Sequence, residues 1–511
     1  MNATDLSLPA IEAVLSSEEA TRQVAAEIAG MLEPGDVVAL RGDLGSGKTT
    51  FARALIQRLA GDPRLEVPSP SFTLVQTYDL PDFPLAHVDL YRIGGPGELA
   101  ELGLSEFFES GVTLVEWPER AGGKLPPPRV EIALSLAPEL GPARRRMKIV
   151  SATPLPPDLT RFLAFYRFMQ EAGCEQAERV RLQGDASTRI YERLVVGSGS
   201  AILMIAPRRP DGPPVRDGRP YSAIAHLAED VTPFVAIARA LRERGFSAPE
   251  IHAADLSEGL LIIEDLGSEG VAPGDPPAVD EERYSAAVEA LAALHRQQLP
   301  DELPVSPAVT YRIPLYDMDA FLIEAELLLD WYLPQQEREV SGDMRAEFQA
   351  LWRETLAPAF VASPTWVLRD YHSPNLLWLP QREGTARVGM LDFQDALMGP
   401  AAYDLASLLQ DARADVSATF EDVQIGRYMK GRRSDRDFDP VKFVEVYALM
   451  GAQRATKILG IFARLEKRDG KPQYLRHQPR VWRNLRRSLS HPTLAKLKGW
   501  YDAHVPAPRF P

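Results

Sequence analysis

Gly42-Asp43-Leu44-Gly45-Ser46-Gly47-Lys48-Thr49, followed by Thr50, decides the fold of the N-terminal part of this 511-residue chain. The spacing is G-x-x-x-x-G-K-[ST]. Before it, Val37-Val38-Ala39-Leu40 reads as a short buried strand; after it, Phe51 to Leu59 has helical spacing and Gly61 supplies a stop. Glycines in such a loop let backbone N–H groups turn inward around phosphate oxygens, and the helix that follows adds its positive end. Lys48 is placed to reach the β- and γ-phosphates of a nucleotide, and Thr49 to hold Mg²⁺. An α/β phosphate-loop domain is expected.

Two further apolar runs end in acids. Leu85-Ala86-His87-Val88 leads to Asp89, and Val112-Thr113-Leu114-Val115 leads to Glu116. Ligands of open α/β sheets bind beyond the carboxyl ends of the strands. Asp89 is therefore expected to hold Mg²⁺ and Glu116 to orient an attacking water. The plainer reading makes each acid a solvated strand end.

Four blocks carry a resemblance: Gly42 to Thr50, Ser69-Pro70-Ser71-Phe72-Thr73, His87-Val88-Asp89-Leu90-Tyr91-Arg92, and Val115-Glu116-Trp117-Pro118-Glu119. In this order they resemble the TsaE family, small bacterial ATPases of threonylcarbamoyladenosine synthesis at position 37 of tRNA. The resemblance implies a switch-like loop at 69–73 with Thr73 near the metal, and Trp117 close to the nucleotide. It also implies TsaD- and TsaB-like partner subunits, with tRNA engaged only indirectly.

A second site lies far downstream. Asp370-Tyr371-His372-Ser373-Pro374-Asn375 has the D-x-x-x-x-N spacing of kinase catalytic loops, and Asp392-Phe393-Gln394 follows the apolar stretch 388–391. Asp370 is spaced to take a proton from a substrate hydroxyl. Asn375 and Asp392 offer oxygens to Mg²⁺. Asp404 is expected to brace the loop. Strand-like runs 179–182 and 189–196 flank Gly184-Asp185-Ala186-Ser187-Thr188, a small-residue tip suited to nucleotide phosphates through Gly184, Asp185 and Ser187. Ile262 to Gly267 suits an interlobe hinge, with backbone at Glu264 and Leu266 pairing with adenine. His295, in a helix from Tyr284 to Gln297, reads as a helix-face residue. No lysine occurs between Lys148 and Lys430, so the cation that kinases place on their third strand must be an arginine, Arg189 first and Arg208 second.

Gly184 to Arg189, Glu264-Asp265-Leu266-Gly267, Arg369 to Asn375 and Leu391 to Ala396 resemble the aminoglycoside-phosphotransferase superfamily. Within it they are most similar to the AmgK-type cell-wall sugar kinases, which phosphorylate the anomeric hydroxyl of N-acetylmuramate and N-acetylglucosamine. The resemblance implies an α+β, two-lobed, kinase-like fold using ATP. That subgroup also lacks the lysine. Leu368 stands where many relatives carry His. If the substrate is N-acetylmuramate, its lactyl carboxylate needs a cation, and Arg454 or Lys457 on the preceding helical stretch is the candidate. Two rivals stay open: a kinase for a choline-like or aminoglycoside hydroxyl, and a metabolite-binding regulator without turnover. The charge around the lower-lobe pocket separates a cationic from an anionic substrate.

The proline-rich stretch Ser151 to Asp158 reads as a linker. The expected organisation is a phosphate-loop domain over 1–150, a linker over 151–158 and a kinase-like domain over 159–511. Net charge is −14, about −7 on either side of residue 150, which excludes a nucleic-acid binder by bulk charge. One cysteine, Cys174, excludes an internal disulfide and a cysteine zinc site. No apolar run reaches the ~18 residues of a membrane span. A cytoplasmic protein with no membrane partner is expected.

Overall fold

The computed structural model of the chain describes residues 10–139, 141, 143–182, 189–197, 199–208 and 212–509. The chain divides into two compact units, Met1–Arg179 with Leu194–Gly199, and Val180–Arg193 with Ser200–Pro511.

Among the described residues unit 1 is built on seven strands: β1 (Ala10–Leu15), β2 (Val37–Arg41), β3 (Val75–Asp79), β4 (Pro84–Asp89), β5 (Val112–Glu116), β6 (Val130–Leu136) and β7 (Arg145–Ser151). Their order is β1-β7-β6-β2-β5-β4-β3. The centre is parallel, with β2 paired to β5 and β6, and β4 to β5; the outer pairs are antiparallel. Parallel strands covered on both faces read as continuous apolar runs, which is why 37–40 shows no alternation of polarity. Alternate residues nonetheless serve different faces. Val38 and Leu40 pack with Val24 and Ile28 of helix α1 (Glu18–Ala29) and with Phe51 and Leu55 of α2 (Lys48–Ala60). Val37 packs on the opposite face with Val88 and Val115.

The division of the chain differs from the expected one. The helix Pro157–Glu171 starts at proline in its first turn, and its Leu159 and Leu163 are buried in the same core as α1 and α2. The residues 151–158 thus connect two elements of unit 1, and the unit runs to Arg179 rather than ending at 150. The apolar stripe of that helix showed that it would pack; it did not say against which core.

Unit 2 holds most of a five-stranded sheet made of β8 (Glu178–Leu182), β9 (Ile190–Val196), β10 (Gly199–Ile205), and, after the short hairpin β11 (Pro214–Arg216) and β12 (Arg219–Pro220), β13 (Ile251–Asp255) and β14 (Leu260–Glu264). The order is β13-β14-β10-β9-β8. A helical part follows, centred on the 30-residue helix Pro440–Asp469. Asp439 caps its start by accepting from the N–H groups of Val441 and Lys442, and Gly470 closes it in the left-handed conformation. At Gly460 this helix passes so close to Leu327 that a Cβ would lie 2.3 Å from the Leu327 carbonyl carbon. His295 lies on the helix Glu281–His295, on a face turned inward. It is buried, bonded to the Tyr428 hydroxyl at 2.7 Å and the Trp366 carbonyl at 3.0 Å. Among the described residues no helix is long and apolar enough to cross a membrane.

Candidate active sites

In unit 1, strand register makes the site. Leu40 pairs with Glu116, and Glu116 pairs with Asp89, so the loop after β2, Glu116 and Asp89 line up along one edge of the sheet. Gly42 has φ +133°, and a Cβ there would meet the Leu134 carbonyl at 2.0 Å, so only glycine lets the loop leave β2 this way. Gly45 and Gly47 also have positive φ, and Gly47 caps α2. Lys48 Nζ donates to the carbonyls of Gly42 at 2.6 Å and Asp43 at 2.9 Å and lies 4.1 Å from the centre of the Trp117 ring. Burial pulls the Lys48 pKa below its ordinary value, and Glu116 and Asp89 act against that. Leu44 is exposed, while the Ser46 hydroxyl is buried without a hydrogen-bond partner among the described residues.

The hydroxyl of Thr49 donates to both Glu116 oxygens, at 3.1 and 3.2 Å. Asp89 accepts from Ser71 at 2.7 Å, Ser69 at 3.3 Å and the Tyr91 N–H at 3.0 Å. Thr73 is exposed on the adjoining turn; the serines, not the threonine, reach Asp89. Thr50 lies in the first turn of α2. The sequence reading missed His87. It is fully buried, with Nε2 3.0 Å from Glu116 and Nδ1 unpartnered among the described residues. Its position two residues before Asp89 on β4 was the available signal, since i and i+2 share a face.

In unit 2 a cleft of about 1380 Å³ is lined by Arg189, Glu264, Leu266, Asp370, Asn375 and Asp392, among others. Gly184, Asp185 and Ser187, expected at the nucleotide phosphates, lie outside the described residues. At the expected hinge, the Glu264 side chain is taken up by Arg242 and Arg382, and its N–H donates to the Glu250 carbonyl at 2.9 Å. Arg189 donates to Asp392 at 3.2 Å. Arg208 instead pairs with Glu229 and is not among the residues lining the cleft. Arg193, unnoticed in the sequence, donates to Asp265 at 2.7 Å. Arg189, just before β9, and Tyr191 and Arg193 on it alternate and all line the cleft, a period-two signal.

Asp404 braces the catalytic loop as expected. It is fully buried and accepts from the N–H groups of Leu368 at 2.6 Å and Arg369 at 2.8 Å. These bonds hold Arg369 at φ +70°, a conformation costly for a non-glycine residue. Burial pushes the Asp404 pKa up to about 7 even against those two donors. Asn375 gives its amide nitrogen to the Asp370 carbonyl at 3.0 Å and to Asp392 at 3.4 Å, which leaves its amide oxygen for a cation. Gln394 also donates to Asp392, at 2.8 Å. Phe393 stacks on Phe234 with centroids 4.9 Å apart.

Burial works to raise the Asp370 pKa, but His372, Lys457, Arg454 and Arg369 outweigh it and leave the carboxyl below its ordinary range. Asp392 goes the other way, raised by burial and by the Asp370 charge. Two carboxylates pushed apart in this way suit two roles: a base that stays ionised, and an acid that welcomes a neighbouring cation.

Beside Asp370 a smaller cavity of about 140 Å³ is lined by Arg454, Lys457, Arg413, His372, Asp411 and apolar side chains. Both substrate candidates are therefore brought to the catalytic loop, but they differ. Lys457 donates to Glu324 at 2.7 Å, and Glu324 also holds the Arg369 guanidinium. Burial alone would raise the Glu324 pKa, yet Arg369 and Lys457 hold it down at about 2. Glu324 and Asp411, which accepts from Ser373, were not legible in sequence because their partners are 38 to 133 positions away.

Two family descriptions match the chain: "Threonylcarbamoyl adenosine biosynthesis protein TsaE" over residues 15–146 and "Phosphotransferase enzyme family" over 178–442. An N-acetylmuramate/N-acetylglucosamine kinase of Caulobacter vibrioides is 40% identical over 351 residues, covering 66% of this chain and 95% of that protein. Its counterpart in Pseudomonas aeruginosa is 33% identical, covering 63% of this chain and 87% of that protein. A tRNA threonylcarbamoyladenosine biosynthesis protein TsaE of Rickettsia bellii is 43% identical over 125 residues, covering 24% of this chain and 86% of that protein.

Proposed function

We propose, for a chain that belongs to the phosphotransferase enzyme family over residues 178–442 and to the TsaE family over 15–146, that two ATP-using activities share one polypeptide: anomeric phosphorylation of an amino sugar by unit 2, and ATP hydrolysis supporting tRNA threonylcarbamoyladenosine formation by unit 1.

In unit 2 the acceptor is N-acetylmuramate or N-acetylglucosamine. Asp370 takes the proton of the anomeric hydroxyl as its oxygen bonds to the γ-phosphorus, the phosphoanhydride bond breaks, and ADP leaves. Arg189 supplies the cation that the missing lysine would provide. Asn375 and Asp392 present hard oxygen donors of the kind Mg²⁺ takes together with nucleotide phosphates, and the ion would neutralise phosphate charge. The observation that carries the reading is the place of Asp370, which lines both the wide cleft and the cavity. That cavity is lined by three cationic side chains, Arg413, Arg454 and Lys457, against two acids, Asp370 and Asp411, which favours an anionic acceptor over a choline-like cation. Incubating the chain with ATP and a panel of sugars and amino alcohols tests it, with phosphorus NMR of the product. A sugar 1-phosphate is expected; a 6-phosphate, or phosphorylation of amino alcohols alone, refutes the assignment.

In unit 1, Lys48 and the loop amides hold the phosphates, Thr49 and Asp89 would hold Mg²⁺, which would neutralise phosphate charge, and Glu116 orients water. TsaD- and TsaB-like subunits are the partners, and tRNA is met through them. ATP hydrolysis that rises on adding those subunits, with no RNA affinity of the chain alone, is the expected result. Tight RNA binding by the chain alone counts against it.

A further inference from the structure

The cavity beside Asp370 sets Arg413, Arg454 and Lys457 against an apolar wall. Arg454, Ile458, Ile461 and Leu465 follow one another at helical spacing along Pro440–Asp469 and all line it. Arg454 is only 6% exposed. Among the described residues no hydrogen bond or ion pair reaches its guanidinium, whereas Lys457, one turn on, is matched by Glu324. A guanidinium that meets only the solvent of a narrow cavity gains a charge-assisted hydrogen bond when an anion enters. The volume of about 140 Å³ is several times the ~10–15 Å³ that admits one water, so a small branch fits as well as solvent. Asp370, His372, Arg413 and Ile461 line both cavity and cleft, so a group can hang in the cavity while its sugar ring lies at the base.

We infer that this cavity is the receptor for a short aliphatic arm ending in a carboxylate, with Arg454 as its counter-ion, and that Arg454 makes the site prefer an acidic amino sugar over a neutral one. The inference rests on the sugar-kinase reading above. Ile458, Ile461 and Leu465 give the arm's carbon atoms an apolar wall, and the arm's carboxylate completes the guanidinium.

The test uses the full chain with N-acetylmuramate, which carries such an arm, and N-acetylglucosamine, which does not. Steady-state constants are measured for the wild type, Arg454→Leu and Arg454→Lys at pH 8, where Asp370 stays ionised in all three. Arg454→Leu is expected to lower the ratio of kcat/KM for the acidic over the neutral sugar about 10- to 100-fold, the span of a charge-assisted hydrogen bond. The loss should lie in KM, since the contact is equal in ground and transition states. Arg454→Lys, which keeps a point charge, should restore part of the ratio. An unchanged ratio, or an equal loss with both sugars, overturns the inference while leaving the kinase reading standing. A wild type that phosphorylates neither sugar overturns the kinase reading and the inference together.

Discussion

Replacing Asp370 with asparagine should separate chemistry from nucleotide binding. The loop has little reason to change shape: Asn375 bonds to the backbone carbonyl of residue 370, and Asp404 pins the preceding residues through their N–H groups. What is lost is a carboxylate that takes a proton. Removing a general base costs about 10²–10⁴ in rate, or roughly 3–5 kcal/mol of barrier at 1.36 kcal/mol per decade. Nucleotide affinity should not fall. The Asp392 pKa is raised by burial and then by the Asp370 charge, so neutralising residue 370 makes Asp392 easier to ionise. The acid limb of Mg-ATP affinity should then move to lower pH in the variant. Turnover is followed by coupled ADP release, and affinity by calorimetry between pH 5 and 8. Full turnover in Asp370→Asn refutes the catalytic-loop reading. An acid limb moved upward refutes the electrostatic argument.

Lys48→Ala should abolish ATP hydrolysis by unit 1 and leave sugar phosphorylation intact, since Lys48 neutralises phosphate charge at one site only; loss of both activities in the purified chain contradicts this. A fragment ending at residue 156 should melt well below one ending at Gly173, because it lacks the buried Leu159 and Leu163, each worth about 1.5–3 kcal/mol; equal melting points refute the assignment of that helix to unit 1. Asp404→Leu leaves the N–H groups of Leu368 and Arg369 buried without acceptors, at about 1–3 kcal/mol each, and should cost kcat as well as stability; a variant as active as wild type counts against bracing. His295 is held neutral by burial, with its pKa pulled down to about 3. Below the unfolded value of 6.5 the unfolded chain binds a proton that the fold refuses, so stability from this group is full above pH 6.5 and is lost as pH falls toward 3. Denaturant titrations should show a flatter pH dependence in His295→Gln; an unaltered slope refutes it.

The two motifs of this chain were legible because their chemistry is local. A glycine loop must contain its glycines in order, so Gly42 to Thr49 announces strand, loop and helix together. Asp370 and Asn375 are five positions apart because one loop carries both. Strand ends were legible for the same reason: Asp89 and Glu116 each close an apolar run, and parallel pairing then sets them side by side. What stayed hidden depends on distant partners. Nothing around Leu159 says that its helix packs with α1 and α2, because an apolar stripe specifies burial without naming a core. His87 was visible, but its bond to Glu116 is made across a strand pair. Arg454 and Lys457 look alike in sequence. Only the fold decides that Glu324, 133 positions before Lys457, pairs with that lysine and not with Arg454, because electrostatic matching is settled by distance in space and not along the chain.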